Sequence, residues 1–195
     1  MSGDLVLDLN KGMSLDLTKA GDTKFTIGLG WEAAPVDGQS VDLDVSAFML
    51  QGNVPMKLLA MEHAIYFNNP SSADGSVRLS GDSRDGTVGD IDEEIYVDVT
   101  KIPDNVNAIA IYVNIFKPAI TFSKVQAAKA IVSNQDGKLL ARFDMSSQLT
   151  DENSLLVGVI KRNGRAWDFI AKGEGYLVQD LNTIVGALNK EGLEA

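Results

Sequence analysis

Leu155-Leu156-Val157-Gly158-Val159-Ile160-Lys161 runs into Asn163-Gly164 and returns through Ala166-Trp167-Asp168-Phe169-Ile170-Ala171. Two apolar, β-branched and aromatic runs flank a dipeptide that tolerates positive φ, which is the pattern of a tight β-hairpin. A second hairpin reads the same way. It runs Lys129–Asn134, turns at Gln135-Asp136-Gly137 and returns through Lys138–Asp144. Asp37-Gly38, Asp74-Gly75 and Asp85-Gly86 mark further turns. Between them lie runs with period two: Met13–Thr18, Phe25–Leu29, Val41–Val45 and Ile95–Val99. Alternation places one set of side chains on a core and the other outside it.

Ala108 to Phe116 is apolar almost without interruption and predicts a strand buried on both faces. A helical period appears with conviction once. Leu177, Leu181, Ile184, Val185 and Leu188 share one face and predict a C-terminal helix packed on a sheet. Phe122–Gln126 has room for one helical turn. Many short strands punctuated by turns give an all-β fold class, a two-sheet β-sandwich with short helices. With no linker, repeat or low-complexity tract, residues 1–195 read as a single domain.

The net charge is −10, from 17 basic and 27 acidic side chains. Such a chain repels phosphate backbones, so no nucleic-acid partner is expected, and duplex DNA should not bind at physiological salt. No stretch reaches the ~18 apolar residues of a membrane span, and no basic cluster would hold an anionic bilayer, so direct membrane insertion is not expected. Met1–Leu5 does not read as a secretion signal, and a cytoplasmic location is the default expectation. The absence of cysteine excludes disulfides, thiolate zinc sites and cysteine nucleophiles.

Acidity concentrates in Asn68–Asp98. Eight acids there (Asp74, Asp82, Asp85, Asp90, Asp92, Glu93, Glu94, Asp98) face two bases (Arg78, Arg84), leaving −6. Four glycines, Gly75, Gly81, Gly86 and Gly89, break the segment, and long irregular loops of this kind usually carry function. Crowded carboxylates repel unless a cation neutralises them, and calcium takes ~6–8 oxygens from such groups. The plain alternative is a solvated acidic loop. An EF-hand is ruled out, because setting Gly86 at the sixth loop position puts Gly81 where the first ligand belongs.

Several motifs together resemble the TerD family of bacterial tellurium-resistance and stress-response proteins. Asn10-Lys11-Gly12-Met13-Ser14-Leu15-Asp16-Leu17 is similar to its opening strand. Gly28-Leu29-Gly30-Trp31-Glu32 resembles "GLGWD", Val41–Ala47 resembles "FDLDASA", and Tyr66-Phe67-Asn68-Asn69 resembles "FYNN". Ser72–Val77, Gly81-Asp82, Asp92-Glu93 and Val97-Asp98 follow "SPDGSV…GDN…GDDE.I.VDL". Trp167, Phe169, Gly173, Gly175 and Tyr176 match its closing hairpin.

The resemblance implies a two-sheet sandwich that binds calcium through acidic loops, with no firmly assigned catalytic activity. It also implies protein partners in a stress-response complex, any membrane association being made through another protein. Carried over by motif, the implied calcium ligands are Asp42, Asp44, Asn68, Asn69, Asp74, Asp82, Asp92 and Glu93. Asp90 joins them, since it stands where "GDDE" has glycine while Ile91 replaces the first aspartate. Ser83 and Glu32 replace the Asn of "GDN" and the Asp after the tryptophan, and Phe116–Ile120 is shorter and less polar than its family counterpart.

Other chemistries are weaker. Gly28-Leu29-Gly30-Trp31-Glu32-Ala33 fits a loose dinucleotide fingerprint, but Pro35, Asp37 and Gly38 follow where a helix is required. His63, the sole histidine, has no nucleophile elbow to serve and suits a surface or packing role. Paired carboxylates such as Asp42 and Asp44 fit a metal as well as a glycosidase. Trp31 and Trp167 are expected in the core. Two function classes therefore stand: a non-enzymatic, calcium-dependent interaction module, and a metal-dependent hydrolase of phosphoester or similar substrates using the same carboxylates.

Overall fold

The computed structural model describes residues 6–33, 41–80, 91–115, 120–148, 151–177 and 180–194. The turns expected at Asp37-Gly38 and Asp85-Gly86, and the candidate ligands Asp82 and Asp90, lie outside them. The described strands are β1 (Leu7–Leu9), β2 (Ser14–Asp16), β3 (Lys24–Ala33), β4 (Leu43–Gln51), β5 (Ala64–Ile65), β6 (Val77–Leu79), β7 (Glu93–Asp98), β8 (Val106–Ile115), β9 (Val125–Asn134), β10 (Leu139–Asp144), β11 (Ser154–Asn163) and β12 (Ala166–Tyr176), followed by helix α1 (Leu181–Lys190).

They form two six-stranded sheets, β1-β10-β9-β3-β7-β6 and β2-β12-β11-β8-β4-β5. All pairings are antiparallel except β1 with β10. The fold is the expected two-sheet sandwich. Both predicted hairpins form, β9–β10 and β11–β12. In the second, Asn163 pairs with Ala166, so the turn residues are Gly164 and Arg165, one position later than the dipeptide suggests. Gly164 supplies the positive φ, at 61°.

The inner faces meet in one apolar core holding Ile27, Ile95, Val97, Ile109, Ile111 and Phe169. Both tryptophans belong to it, Trp31 and Trp167 being buried. The outer face of the second sheet carries a second apolar cluster, with Phe48, Leu50, Ala108, Ala110 and Val159 under Ile184 and Leu188 of α1. Strand β8 lies beneath both layers, which accounts for its apolar run between Asn107 and Asn114: Ile109 and Ile111 face the sandwich while Ala108 and Ala110 face the helix.

Asp180 caps α1, its carboxylate accepting from Thr183 N–H at 3.0 Å. Leu177 precedes this cap and is 79 % exposed, so it does not extend the apolar face read from the sequence. The turn expected near Phe122 is a 3₁₀ turn over Phe122–Lys124. His63 packs at the end of β4, with Nδ1 3.0 Å from Gln51 Nε2. Among the described residues, no helix is long and apolar enough to cross a membrane.

Candidate metal centre

The start of β7 brings two carboxylates to the rim of the sandwich. Asp92 lies just before the strand, its backbone N–H donating to Leu29 O at 2.8 Å. Its Oδ2 accepts from Trp31 N–H at 2.9 Å, continuing the pairing of β3 beyond the end of β7. Glu93 shares the inward parity of Ile95 and Val97, so its side chain crosses toward the other sheet. There Oε2 accepts from Val45 N–H of β4 at 3.2 Å. Asp92 is 9 % exposed and Glu93 8 %, so both acids are withdrawn from bulk water. Burying carboxylates is costly unless hydrogen bonds or a cation compensate.

Glu93 lines a cavity of about 320 Å³ together with Asp44, Val45, Phe67, Pro70, Leu79 and Ser80. Asn68 and Asn69 sit on the tight turn between Phe67 and Pro70, at the edge of that cavity. Asn69 is spent on the turn: its backbone pairs with Tyr66 and its Nδ2 donates to Ala64 O at 2.8 Å. Asn68 is exposed. Asp42 enters β4 from the same side, with Oδ1 buried. Asp42, Asp44, Asn68, Asn69, Asp92 and Glu93 thus gather at one end of the sandwich.

Asp74 does not join them. The β6–β7 pairing sets Val77 opposite Val97, which places the turn before β6 beside Asp98, at the far end of β7. Five strand residues of about 3.3 Å each separate that end from Glu93, or roughly 17 Å. Asp74 is a turn residue there: Oδ1 accepts from Ser76 N–H at 2.6 Å and from Ser72 Oγ at 3.0 Å. Burial works to raise its carboxyl, but the hydrogen bonds from Ser76 and Ser72 outweigh it and hold the group below its usual range.

A depressed carboxylate stabilises the fold above its unfolded pKa of about 3.9, and that contribution is lost as pH falls through the folded value. Asp74→Asn keeps an acceptor for Ser76 and loses the charge. It should melt below the parent protein at pH 6, with the gap closing below about pH 4. A gap independent of pH, followed by thermal melting, would assign the turn to geometry alone.

Among the described residues, no three Asp, Glu, His or Cys side chains come close enough to share one metal ion. The polar side chains lining the cavity carry only oxygen donors, which is the chemistry of a hard cation. Ser80 and Phe67 were not among the sequence-derived candidates as site residues. Phe67 lies inside the quoted Tyr66–Asn69 motif, and Ser80 directly precedes Gly81-Asp82.

The TerD domain family model matches residues 5–187. The chain belongs to the TerD domain family. It is 34% identical over 176 residues to tellurium resistance protein TerD of Serratia marcescens, covering 87% of this chain and 91% of that one. General stress protein 16U of Bacillus subtilis (strain 168) is 31% identical over 179 residues, covering 88% and 92%. The crystal structure of a TerD homologue from Streptomyces coelicolor A3(2) superposes with a TM-score of 0.70 at 20% identity, over 90% of this chain and 100% of that one. At that identity the TerD homologue supports the fold alone. The motifs from Gly28–Glu32 to Gly173–Tyr176 all lie within the matched TerD domain.

Proposed function

We propose that this protein is a calcium-binding stress-response protein that contributes to resistance against tellurite and other toxic agents. It acts in the cytoplasm, without catalysis, as a metal-dependent interaction module for protein partners. The observation that carries the calcium reading is the pair of withdrawn acids at the start of β7, with Glu93 turned into a cavity whose polar side chains, its own and those of Asp44 and Ser80, offer only oxygens. Of the described residues Glu93 and Asp44 would hold the ion from the cavity, with Asp42, Asn68, Asn69 and Asp92 at the same end of the sandwich, and Asp82 and Asp90 are the further candidates read from the sequence. Calcium there would neutralise buried negative charge and tie the two sheets together through Glu93. The resistance and stress role rests on the relatives' names, tellurium resistance protein TerD and general stress protein 16U.

A hydrolase using the same carboxylates would need cationic groups beside the metal to hold a phosphoester. The described lining of this cavity includes no Lys or Arg, which favours the module. Calorimetric titration of chelator-treated protein with calcium tests the reading. Saturable binding is expected, and Glu93→Gln should abolish it. Binding that survives Glu93→Gln unchanged would move the site elsewhere.

A further inference from the structure

The outer face of the first sheet carries a larger concavity, of about 640 Å³, separate from the carboxylate cavity. Its floor is one cross-strand row: Arg78 on β6 opposite Tyr96 on β7, Tyr96 opposite Thr26 on β3, and Thr26 opposite Ser133 on β9. The Arg78 guanidinium carbon sits 4.4 Å from the centroid of the Tyr96 ring, which holds that long side chain in place. In the next row Lys24 stands opposite Asp98.

Both acids of the groove are committed. Glu94 accepts the Tyr96 hydroxyl. Asp98 Oδ1 accepts from Thr100 N–H and from the Thr100 hydroxyl, and its Oδ2 lies 3.6 Å from Lys101 Nζ. Among the described residues, neither Lys24 nor Arg78 makes a direct ion pair, although Lys24 interacts electrostatically with Asp98 across the strand pair. Lys101 is 55% exposed, so its pairing with Asp98 is weak and readily exchanged. On a chain of net charge −10, this groove sets three cations, Lys24, Arg78 and Lys101, against two carboxylates, Glu94 and Asp98, beside the hydroxyls of Thr26 and Ser133.

We propose that the groove binds a doubly charged oxyanion, the chemistry of inorganic phosphate or a phosphate ester. The anion sits between Lys24 and Arg78, with the Thr26 and Ser133 hydroxyls donating to its oxygens. A guanidinium fork and an ammonium on opposite sides of a concave wall concentrate such an anion against the overall field of the protein. The site lies on the outer face of the first sheet and needs no calcium.

The test is an amide-resolved NMR titration with inorganic phosphate, and separately with phenyl phosphate, in chelator and at ionic strength held constant with sodium chloride. Saturable shifts at Thr26, Tyr96 and Ser133 are expected. Lys24→Gln and Arg78→Gln, on different strands, should each weaken binding about tenfold, as the loss of one charge-assisted contact does. Arg165→Gln, in the β11–β12 turn, should leave it unchanged. Tighter binding of phenyl phosphate assigns the groove to an ester, and equal binding to the free anion. Absence of saturable shifts at millimolar phosphate, or equal weakening by Arg165→Gln, overturns the proposal. Because chelator is present throughout, failure here leaves the calcium reading untouched.

Discussion

Phe169→Ala is expected to lower the melting temperature by about 10 °C. The ring is fully buried in the inter-sheet core. Truncating such a residue costs about 3–5 kcal/mol, because hydrogen-bonded strands cannot collapse into the void. In a domain of this size each kcal/mol moves the midpoint by roughly 2–4 °C. The contact that positions the ring is with a glycine. A Cβ on Gly158 would stand 2.6 Å from Phe169 Cζ and 2.8 Å from Ile170 O. Gly158→Ala should therefore also destabilise, by overpacking of about 1–3 kcal/mol. Combined with Phe169→Ala it should cost less than the sum, since the ring half of the clash has gone while the Ile170 carbonyl remains. Strict additivity, measured by denaturant unfolding, would show that the glycine is not there for the ring.

Calcium is expected to raise the melting temperature and chelator to lower it. Binding to the folded state alone stabilises by about 2.7 kcal/mol at one hundred times Kd, or roughly 5–10 °C here. Magnesium should substitute poorly, since it holds its waters and demands octahedral geometry. Glu93→Gln keeps an acceptor for Val45 N–H and removes the charge, so the variant should fold and yet lose the calcium response. Asp82→Ala should blunt it, while Asp136→Ala, in the exposed β9–β10 turn, should not. Asp74→Ala is expected to lower melting equally with calcium and with chelator, because its carboxylate serves the turn at Ser76. Identical melting in calcium and chelator would leave the acidic segment as a solvated surface.

Local features were legible in the sequence because they are set locally. Asn163-Gly164 and Asp136-Gly137 announce their hairpins through backbone freedom, and Ala108–Phe116 announces two-sided burial through an apolar run broken only at Asn114. The start of α1 was misjudged at Leu177, because an apolar residue at the right spacing looks helical until the Asp180 cap is recognised. Strand partners were not legible, since a period of two fixes faces and not neighbours. That limit decided the site. Asp74 and Glu93 are close in sequence, but β6 folds back along β7 and carries Asp74 to the opposite end. Conversely, Lys24, Arg78 and Ser133 are scattered along the chain and meet only through the order β9-β3-β7-β6.

That order also governs how the chain matures during synthesis. Strand β3 waits for β9 on one side, and β4 waits for β8, while β8 in turn waits for β11. Strand β1, the first of the described strands, pairs among the described residues with β10. A nascent chain that has emerged through β7 therefore holds no complete sheet and displays open strand edges over apolar faces. At about 5–20 residues per second the ribosome takes several seconds more to deliver the missing strands. For that interval apolar faces and unpaired strand edges stay open to other chains, and slow codons placed before β9 would lengthen the exposure.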